Sequence, residues 1–304
     1  MAYNRITIII LILVAVLAGG TIFRLNQIVH RLKDKNHNMR VGSQQFKQEF
    51  EQEVLEFLVP ELLVYDVYDN TNSKIKFIRF GSKGDGGYVV PEIALQNSDA
   101  LLGYGIASDI SFEEGFSDLY NKPSYGFDCG AESINIKNPL CKFIRECIAS
   151  DSTILGDQTS SGVISSFTEQ LNKLGLVGKN VFIKMDIEGA EYDAFEDIYQ
   201  YANNITGIVL ELHSLHVPNN ALKAARLLRV LERNFYMVRV HGNNCCHTFF
   251  AKGVEGGLPS VLEVTLINKN LVGRAEISQN QSHPDVGDSP NVPTEEDLKF
   301  RINR

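Results

Sequence analysis

Residues 181–187 constrain the fold of this chain more than any other stretch. Five of its seven positions are apolar, which is typical of a strand covered on both faces. The carboxylates of Asp186 and Glu188 close the run, and Gly189 lets the backbone turn into a helical pattern. Carboxylates at the carboxyl end of a parallel strand lie at the ligand crevice of an open α/β sheet. The run therefore predicts a buried parallel strand that carries functional residues at its end.

Short apolar runs recur along the chain and alternate with helical stretches. The predicted strands are residues 101–104, 124–127, 153–155, 181–187, 208–212, 237–240 and 262–267. The predicted helices are residues 165–174, 191–201 and 220–234. This alternation predicts an α/β fold with a mostly parallel, doubly wound sheet. The last two strands lie close together in the sequence and predict an antiparallel pair at one edge of the sheet.

Composition narrows the classes of partner. The chain has 304 residues and a net charge of −8, so a nucleic acid is not expected as its main partner, because phosphate binding needs a basic face. The five cysteines include no Cys-x-x-Cys pair, which argues against a zinc ribbon. Cys141 and Cys147 could pair in an oxidising compartment, although buried thiols are the favoured interpretation.

The amino-terminal segment is apolar enough to suggest contact with a membrane. Residues 6–23 form an 18-residue stretch without charge, just long enough to span a bilayer. We favour a retained single-pass anchor in residues 1–23 over a cleaved signal peptide, which would make the protein secreted. Flanking charges leave open whether the remaining chain faces the cytoplasm or the secretory pathway.

The rest of the chain divides into three predicted parts. Residues 24–74 read as a polar stalk followed by an amphipathic helix, in which Pro60 ends or kinks the helix. Residues 75–278 form the α/β domain. Residues 279–304 are rich in Asn, Ser, Pro and acidic residues and are predicted to be a flexible tail.

Two strand ends carry residues suited to a nucleoside ligand. The first predicted strand ends in a Gly-x-Gly turn at Gly103 and Gly105, where the backbone can approach a ligand closely. The next strand ends on Asp128, at a position where an acid typically holds ribose hydroxyls. Asp157 follows the third predicted strand. A structural turn with surface acids remains the alternative interpretation of all four residues.

Later strand ends supply candidates for acid–base chemistry. Asp186 and Glu188 follow one strand, and Glu211 and His213 share a face of the next. His213 is the best candidate for a general base, because its ordinary pKa lies near neutral. Glu188 could equally interact with the dipole of the following helix. A non-catalytic histidine is the alternative for His213.

Further polar residues surround these candidates. Glu191 opens the helix that follows Glu188, where an interaction with the helix dipole is its favoured role. Asn243 and Asn244 could orient a hydroxyl group or serve only as turn residues. A divalent metal on Asp186, Glu211 and His213 is compatible with their positions, but no ligand spacing demands it.

The phrase Lys-Met-Asp-Ile-Glu-Gly-Ala-Glu at residues 184–191 resembles the signature of FkbM-type S-adenosylmethionine-dependent methyltransferases. The resemblance also includes the Gly-rich segment 79–90 and residues 262–265, and it extends over residues 75–268. Segment 79–90 suggests a hairpin that could cover the cofactor. It implies a Rossmann-like class I methyltransferase fold and an S-adenosylmethionine cofactor, with a sugar or another small hydroxylated molecule as acceptor of an O-methyl group.

The resemblance also assigns roles to individual residues. It implies that Gly103 and Gly105 lie near the methionine part of the cofactor and that Asp128 binds the ribose. It places Asp157 at the adenine amino group and makes Asp186 the residue that lines the pocket. Asp186 and His213 are then the predicted catalytic residues.

Two alternatives from other classes remain open. One is a non-catalytic binding protein that keeps the fold as a scaffold. The other is a nicotinamide-dependent oxidoreductase, and the missing third glycine of the dinucleotide fingerprint after Gly103 and Gly105 counts against it.

Overall fold

The computed structural model describes residues 54–150 and 163–303. Residues 54–58 are helical and continue into a 3-10 helix at Val59–Leu62, which contains Pro60. The helices are α1 (Glu92–Gln96), α2 (Ser111–Tyr120), α3 (Phe167–Leu174), α4 (Glu191–Ile198) and α5 (Pro218–Leu231). Two further 3-10 helices are Tyr199–Asn204 and Lys269–Leu271.

The strands are numbered in chain order. The first nine are β1 (Tyr65–Tyr68), β2 (Phe77–Phe80), β3 (Tyr88–Pro91), β4 (Ala100–Tyr104), β5 (Ser124–Phe127), β6 (Cys141–Ile144), β7 (Glu146–Ile148), β8 (Val163–Ser165) and β9 (Val181–Met185). The next five are β10 (Ile205–Leu212), β11 (Phe235–Gly242), β12 (Thr248–Phe249), β13 (Val254–Glu255) and β14 (Leu258–Pro259). The last four are β15 (Leu262–Asn268), β16 (Arg274–Ile277), β17 (Ser282–His283) and β18 (Phe300–Ile302).

Seven of the described strands form the central sheet, in the order β11-β15-β10-β9-β4-β5-β6. Strand β15 runs antiparallel to both β10 and β11, whereas the pairs from β10 to β6 are parallel. The predicted antiparallel pair of the last two strands is confirmed. This pair lies at one edge of the sheet, as predicted, with β11 outermost and β15 hydrogen-bonded to both β10 and β11.

Helices cover both faces of this sheet. On one face Phe112 and Phe116 of α2 pack with Leu101 of β4 in a cluster that also includes residues of α1 and of the β2–β3 hairpin. Tyr104 lies on the opposite face of β4, because side chains alternate along a strand. Its hydroxyl donates a 2.9 Å hydrogen bond to Gln170 of α3. The predicted doubly wound α/β architecture is therefore confirmed.

Most predicted strands are present with small shifts of their ends. Strand β9 ends at Met185, so Asp186 begins the loop and is not the penultimate residue of a strand. The predicted strand at residues 153–155 lies outside the described residues. Strand β6 (Cys141–Ile144) was not predicted, and it takes the outer position beside β5.

The segments on either side of the predicted domain pair with it. Strand β1 (Tyr65–Tyr68) is antiparallel to β16, although residues 24–74 were predicted to be a stalk and a helix. Strand β18 pairs with β13 and β17, and Phe300 and Ile302 are buried, although residues 279–304 were predicted to be a flexible tail. Apolar residues near the carboxyl terminus account for this packing, because burial of their side chains offsets the cost of ordering the chain.

Cysteine pairing agrees with the favoured buried thiol at Cys141 but not at Cys147. Cys129 and Cys147 form a disulfide that joins the loop after β5 to β7, and Cys245 is bonded to its neighbour Cys246. Cys141 is a buried free thiol at the start of β6. The suggested Cys141–Cys147 pair is therefore wrong.

The predicted single-pass membrane localisation is not supported. The longest described helix, α5, has 14 residues, fewer than the roughly 20 that a bilayer requires. None of the helices in residues 54–150 and 163–303 is both long and apolar enough to cross a membrane. The predicted anchor in residues 1–23 lies outside the described residues.

His241, in β11, joins the central sheet to the carboxyl-terminal segment. Its Nδ1 lies 2.9 Å from Glu263 Oε2, and its Nε2 lies 3.1 Å from the carboxylate oxygens of Asp297. Burial lowers the pKa of this ring, but the hydrogen bond to Glu263 and the negative charges of Glu263, Asp288 and Asp297 outweigh burial and raise the pKa to about 9.

We expect His241→Gln to destabilise the protein more at pH 6 than at pH 9.5. A histidine with a folded pKa of about 9 stabilises the fold fully below its unfolded pKa of about 6.5, and this stabilisation is lost as the pH rises through 9. The effect at pH 6 is on the order of 3 kcal/mol. Urea unfolding at both pH values measures it, with the exposed His247→Gln as the matched control. Equal destabilisation at both pH values would contradict the assignment.

Candidate functional site

Strand register aligns three carboxylates side by side at one end of the central sheet. Met185 of β9 pairs with Leu210 of β10, so the next residues, Asp186 and Glu211, are neighbours. Glu211 pairs directly with Glu263 of β15. We call Asp186, Glu211 and Glu263 the carboxylate row. Like charges placed opposite one another destabilise a sheet unless other groups balance them.

Glu263 has partners of suitable charge and polarity. His241 is its direct partner across β11 and β15, and their side chains are 2.9 Å apart. The amide of Asn291 in the carboxyl-terminal segment donates a 2.5 Å hydrogen bond to the other oxygen of Glu263. This end of the carboxylate row is therefore neutralised within the described residues.

Glu211 has much weaker support. Its side chain is 3% exposed, and one oxygen accepts a 2.7 Å hydrogen bond from the amide of Asn243. Its other close polar partner is the carboxyl group of Asp186. Burial first, and then the negative charges of Asp186 and Glu263, raise the pKa of Glu211 well above its usual value.

Asp186 lies between the sheet and His213. Its Oδ1 is 3.6 Å from His213 Nε2, and its Oδ2 is 3.9 Å from Lys184 Nζ. The hydroxyl of the buried Tyr88 lies 3.4 Å from the same Oδ2. Lys184 is itself directed elsewhere, because its ammonium donates a 2.9 Å hydrogen bond to the carbonyl of Gly105. Asp186 is thus near several groups without a short hydrogen bond to any of them.

The imidazole ring of His213 contacts Glu191 through Nδ1, the nitrogen that faces away from Asp186. Nδ1 of the ring lies 3.3 Å from Glu191 Oε1, so Nε2 points at Asp186 and at Glu188, whose carboxylate is 3.5 Å away. Burial lowers the pKa of His213, but the hydrogen bond to Glu191 and the charges of Glu191, Asp186 and Glu188 outweigh it, and the net shift is upward. The hydroxyl of Tyr192 donates to the His213 carbonyl over 2.7 Å.

Glu191 makes contacts at the candidate site that the sequence did not reveal. It opens α4, as predicted, but it is fully buried and also accepts hydrogen bonds from the backbone amides of Gly189 (2.8 Å) and His213 (3.0 Å). Glu188 and Gly189, with φ of 56° and 102°, form the turn that brings this carboxylate back to the strand end. A signal was present, since Glu191 ends the phrase at residues 184–191.

Three of the predicted residues could hold a metal ion together. One ligand atom from each of Asp186, Glu211 and His213 lies within 4.8 Å of the other two. Asn243, predicted as a possible contact for a hydroxyl group, instead donates to Glu211. Asn244 binds the backbone of Val292 and Glu296 in the carboxyl-terminal segment.

The glycines of the Gly-x-Gly turn are required by packing within the chain. A Cβ on Gly103 would overlap the buried carboxyl group of Glu113 in α2. Gly105 has φ of 70°, and a Cβ there would overlap the carbonyl oxygen of Asp186. The turn after β4 is therefore pressed against the residue that begins the loop after β9. This contact brings the predicted cofactor turn and the predicted catalytic residue together.

Asp128 lies immediately after β5, beside that turn. Its Oδ2 accepts a 2.9 Å hydrogen bond from the amide of Ala107, and its Oδ1 accepts from the amides of Gly130 (2.8 Å) and Ala131 (3.0 Å). A carboxylate has about four lone-pair positions, so about one remains for a ligand. Asp157, the fourth predicted cofactor residue, lies outside the described residues.

The Gly-rich segment forms the predicted hairpin. Strands β2 and β3 pair antiparallel, and the loop between them meets the turn after β4, because a Cβ on Gly86 would lie 3.1 Å from Asp109 Oδ2. The loop also contacts the carboxyl-terminal segment, since the amide of Asp85 donates to the carbonyl of Asn291 over 3.1 Å. Its function as a cover for the cofactor stays a prediction.

The described architecture fits a Rossmann-like methyltransferase fold. It has a mostly parallel sheet with one inserted antiparallel strand, and polar residues cluster after β4, β5, β9 and β10. No protein-family model and no curated protein matches the chain, so the resemblance to FkbM-type methyltransferases is not confirmed.

Solved structures give weak similarities. A fibrillarin/Nop5p complex matches with a TM-score of 0.29 and 10% identity over 67% of this chain and 97% of that chain. The plantazolicin methyltransferase BpumL in complex with SAH matches with a TM-score of 0.26 and 12% identity over 56% of this chain and 76% of that chain. TM-scores this low do not decide the activity of this chain.

Proposed function

We propose that this protein is an S-adenosylmethionine-dependent methyltransferase that methylates a hydroxyl oxygen of a small acceptor such as a sugar. The observation that carries the proposal is the meeting of Asp186 and His213 directly beside the Gly-x-Gly turn. Cofactor-binding and acid–base residues, predicted from separate parts of the sequence, thereby fall at the same edge of the sheet, where open α/β folds bind ligands.

The residues present are compatible with an adenosyl cofactor. Asp128 is half-buried and retains about one free lone-pair position, which suits a ribose hydroxyl. Gly103 and Gly105 are explained by packing against Glu113 and Asp186, so they do not by themselves indicate a ligand. The support for the cofactor therefore comes from Asp128, from the sheet edge and from the resemblance of residues 184–191.

When bound, S-adenosylmethionine would supply an electrophilic methyl group. An acceptor hydroxyl near His213 would lose its proton to Nε2, while its oxygen bonds to the methyl carbon and the carbon–sulfur electron pair stays on sulfur. Glu191 fixes the tautomer by binding Nδ1. Asp186 and Glu188, each within 3.6 Å of Nε2, stabilise the charged ring that results.

Positioning accounts for much of the expected catalysis. A reacting oxygen must lie about 3–3.5 Å from the methyl carbon and in line with the bond that breaks. The His213 ring is restrained by Glu191 on one side and by the contact of Tyr192 with its backbone on the other. General base catalysis by a restrained histidine typically contributes about 10²–10⁴-fold.

Isothermal titration of the full chain with S-adenosylmethionine and S-adenosylhomocysteine tests the cofactor. We expect Asp128→Asn to weaken both affinities about tenfold or more, because a hydrogen bond to a charged group contributes about 1.5–3 kcal/mol. The matched control is Asp69→Asn, since Asp69 also holds loop amides but lies in the exposed turn after β1.

Two outcomes would count against the proposal. If neither cofactor form binds the wild-type protein, the chain is better explained as a binding scaffold that keeps the fold. If Asp128→Asn folds and binds both forms as tightly as the wild type, the ribose site is misplaced. A screen of hydroxylated sugars for release of S-adenosylhomocysteine then identifies the acceptor.

A further inference from the structure

The carboxylate row holds more negative charge than its described neighbours balance. Glu263 is balanced by His241, but Asp186 and Glu211 are adjacent and share no cation at hydrogen-bond distance. Lys184, the nearest cation to Asp186, is 3.9 Å away and donates to the Gly105 carbonyl. A buried carboxylate beside a second, partly exposed one favours either a retained proton or a bound positive charge.

Glu211 shows the imbalance most directly. The residue is only 3% exposed, and one carboxylate oxygen accepts a hydrogen bond from the side-chain amide of Asn243. The side chain also interacts directly with Asp186, a second carboxylate. A buried carboxylate in contact with a second carboxylate is the arrangement that a cation between them would balance.

His213 is prepared as a third ligand. Metal-binding histidines usually donate their other ring N–H to a carboxylate, which fixes the tautomer. Glu191 takes that position on Nδ1, and Nε2 faces Asp186 at 3.6 Å. That distance is too long for a good hydrogen bond. The same Nε2–Oδ1 distance is closer to the spacing of two ligand atoms that bind one ion: ligands about 2.1 Å from an ion lie roughly 3 Å apart.

We propose that Asp186, Glu211 and His213 bind one divalent transition-metal cation, which holds the acceptor oxygen for methyl transfer. Their ligand atoms lie within 4.8 Å of one another, little more than the ~4.2 Å between opposite ligands of a single ion. Two carboxylate oxygens and one imidazole suit Mn²⁺ or Zn²⁺ better than Mg²⁺ or Ca²⁺, which prefer oxygen ligands. The catalytic part of this inference rests on the proposed function.

The cation changes the roles of Asp186 and His213. Both become ligands, and the acceptor hydroxyl loses its proton more readily because the cation stabilises the alkoxide. Methyl transfer still releases one proton, which passes from the hydroxyl to solvent on the side of the exposed Glu188. Asn243 and Glu191 are positioning residues that orient Glu211 and His213.

Titration of the full-length, chelator-treated protein with Mn²⁺, followed by the electron paramagnetic resonance signal of free Mn²⁺, tests the site without an acceptor. We expect one Mn²⁺ per chain in the wild type and in the control Asp193→Asn, an exposed acid on α4 that pairs with Lys223. Glu211→Gln and His213→Gln should each weaken binding at least tenfold. His213→Gln provides the test if Glu211→Gln does not fold.

The outcomes separate this inference from the proposed function. Absence of Mn²⁺ and Zn²⁺ binding, or wild-type affinity in both variants, would overturn the metal site and leave a proton shared by Asp186 and Glu211. Titration with S-adenosylhomocysteine in the presence of chelator reports on the cofactor alone. Cofactor binding without metal binding would overturn only the inferred metal site. Metal binding without cofactor binding would overturn only the proposed methyltransferase function.

Discussion

Asp186→Asn is expected to reduce methyl transfer about 10²-fold or more while S-adenosylhomocysteine binding changes little. The substitution keeps the shape of the side chain and removes the charge that faces His213 Nε2 at 3.6 Å and Lys184 at 3.9 Å. A base, a stabiliser of charged His213 or a metal ligand would each need that charge. The measurement is S-adenosylhomocysteine release with an acceptor identified by screening, alongside calorimetric cofactor binding.

The control for this experiment is Asp193→Asn, which removes a charge from an exposed side chain on α4. His213→Gln is measured in parallel and should lose activity to a similar extent, because both residues are proposed to act on the same acceptor hydroxyl. Full activity in both single variants, with a verified acceptor, would exclude the proposed acid–base site. A loss in Asp186→Asn that excess Mn²⁺ restores would favour metal binding over a role as base.

Glu191→Ala is expected to lower both stability and activity. The buried carboxylate accepts hydrogen bonds from the amides of Gly189 and His213 and contacts His213 Nδ1. Its removal leaves two buried N–H groups without an acceptor, at about 1–3 kcal/mol each. The free energy of unfolding should therefore fall by roughly 3 kcal/mol, and methyl transfer should fall at least tenfold because the His213 ring loses its fixed orientation.

Glu196→Ala is the matched control, because Glu196 is an exposed glutamate on the same helix. Glu191→Gln should lie between wild type and Glu191→Ala, since one amide oxygen can still accept a hydrogen bond. Denaturant unfolding measures stability. If Glu191→Ala is as stable as Glu196→Ala, the carboxylate is not the buried acceptor that the structure describes.

Several parts of the fold were predictable from local sequence patterns. Strand β5 has its predicted bounds of 124–127, and β4, β10, β11 and β15 differ from their predicted bounds by a few residues at the ends. Apolar runs of this kind predict strands because each residue in a doubly covered strand must be buried. Asp186 and His213, chosen because they end such strands, are brought within 3.6 Å of each other.

Other parts could not be predicted in this way. Composition predicted a flexible tail at residues 279–304, yet Asn291 binds Glu263 and Phe300 is buried. Polar composition reports the average preference of a segment for water, and a few buried contacts decide whether it packs. The packing of Gly103 against Glu113 was equally hidden, because a Gly-x-Gly pattern does not reveal what approaches the glycines.

The sequence by itself determined which residues end the strands and therefore which side chains face the ligand edge, because strand periodicity and turn chemistry are local properties. Only the tertiary structure decided that Asp186, Glu211 and Glu263 lie side by side and that His241 balances the last of them. Lateral register depends on backbone hydrogen bonds between strands that are 20 to 50 residues apart in the chain. No local pattern specifies that pairing, and a shift by one residue would turn these side chains to the opposite face.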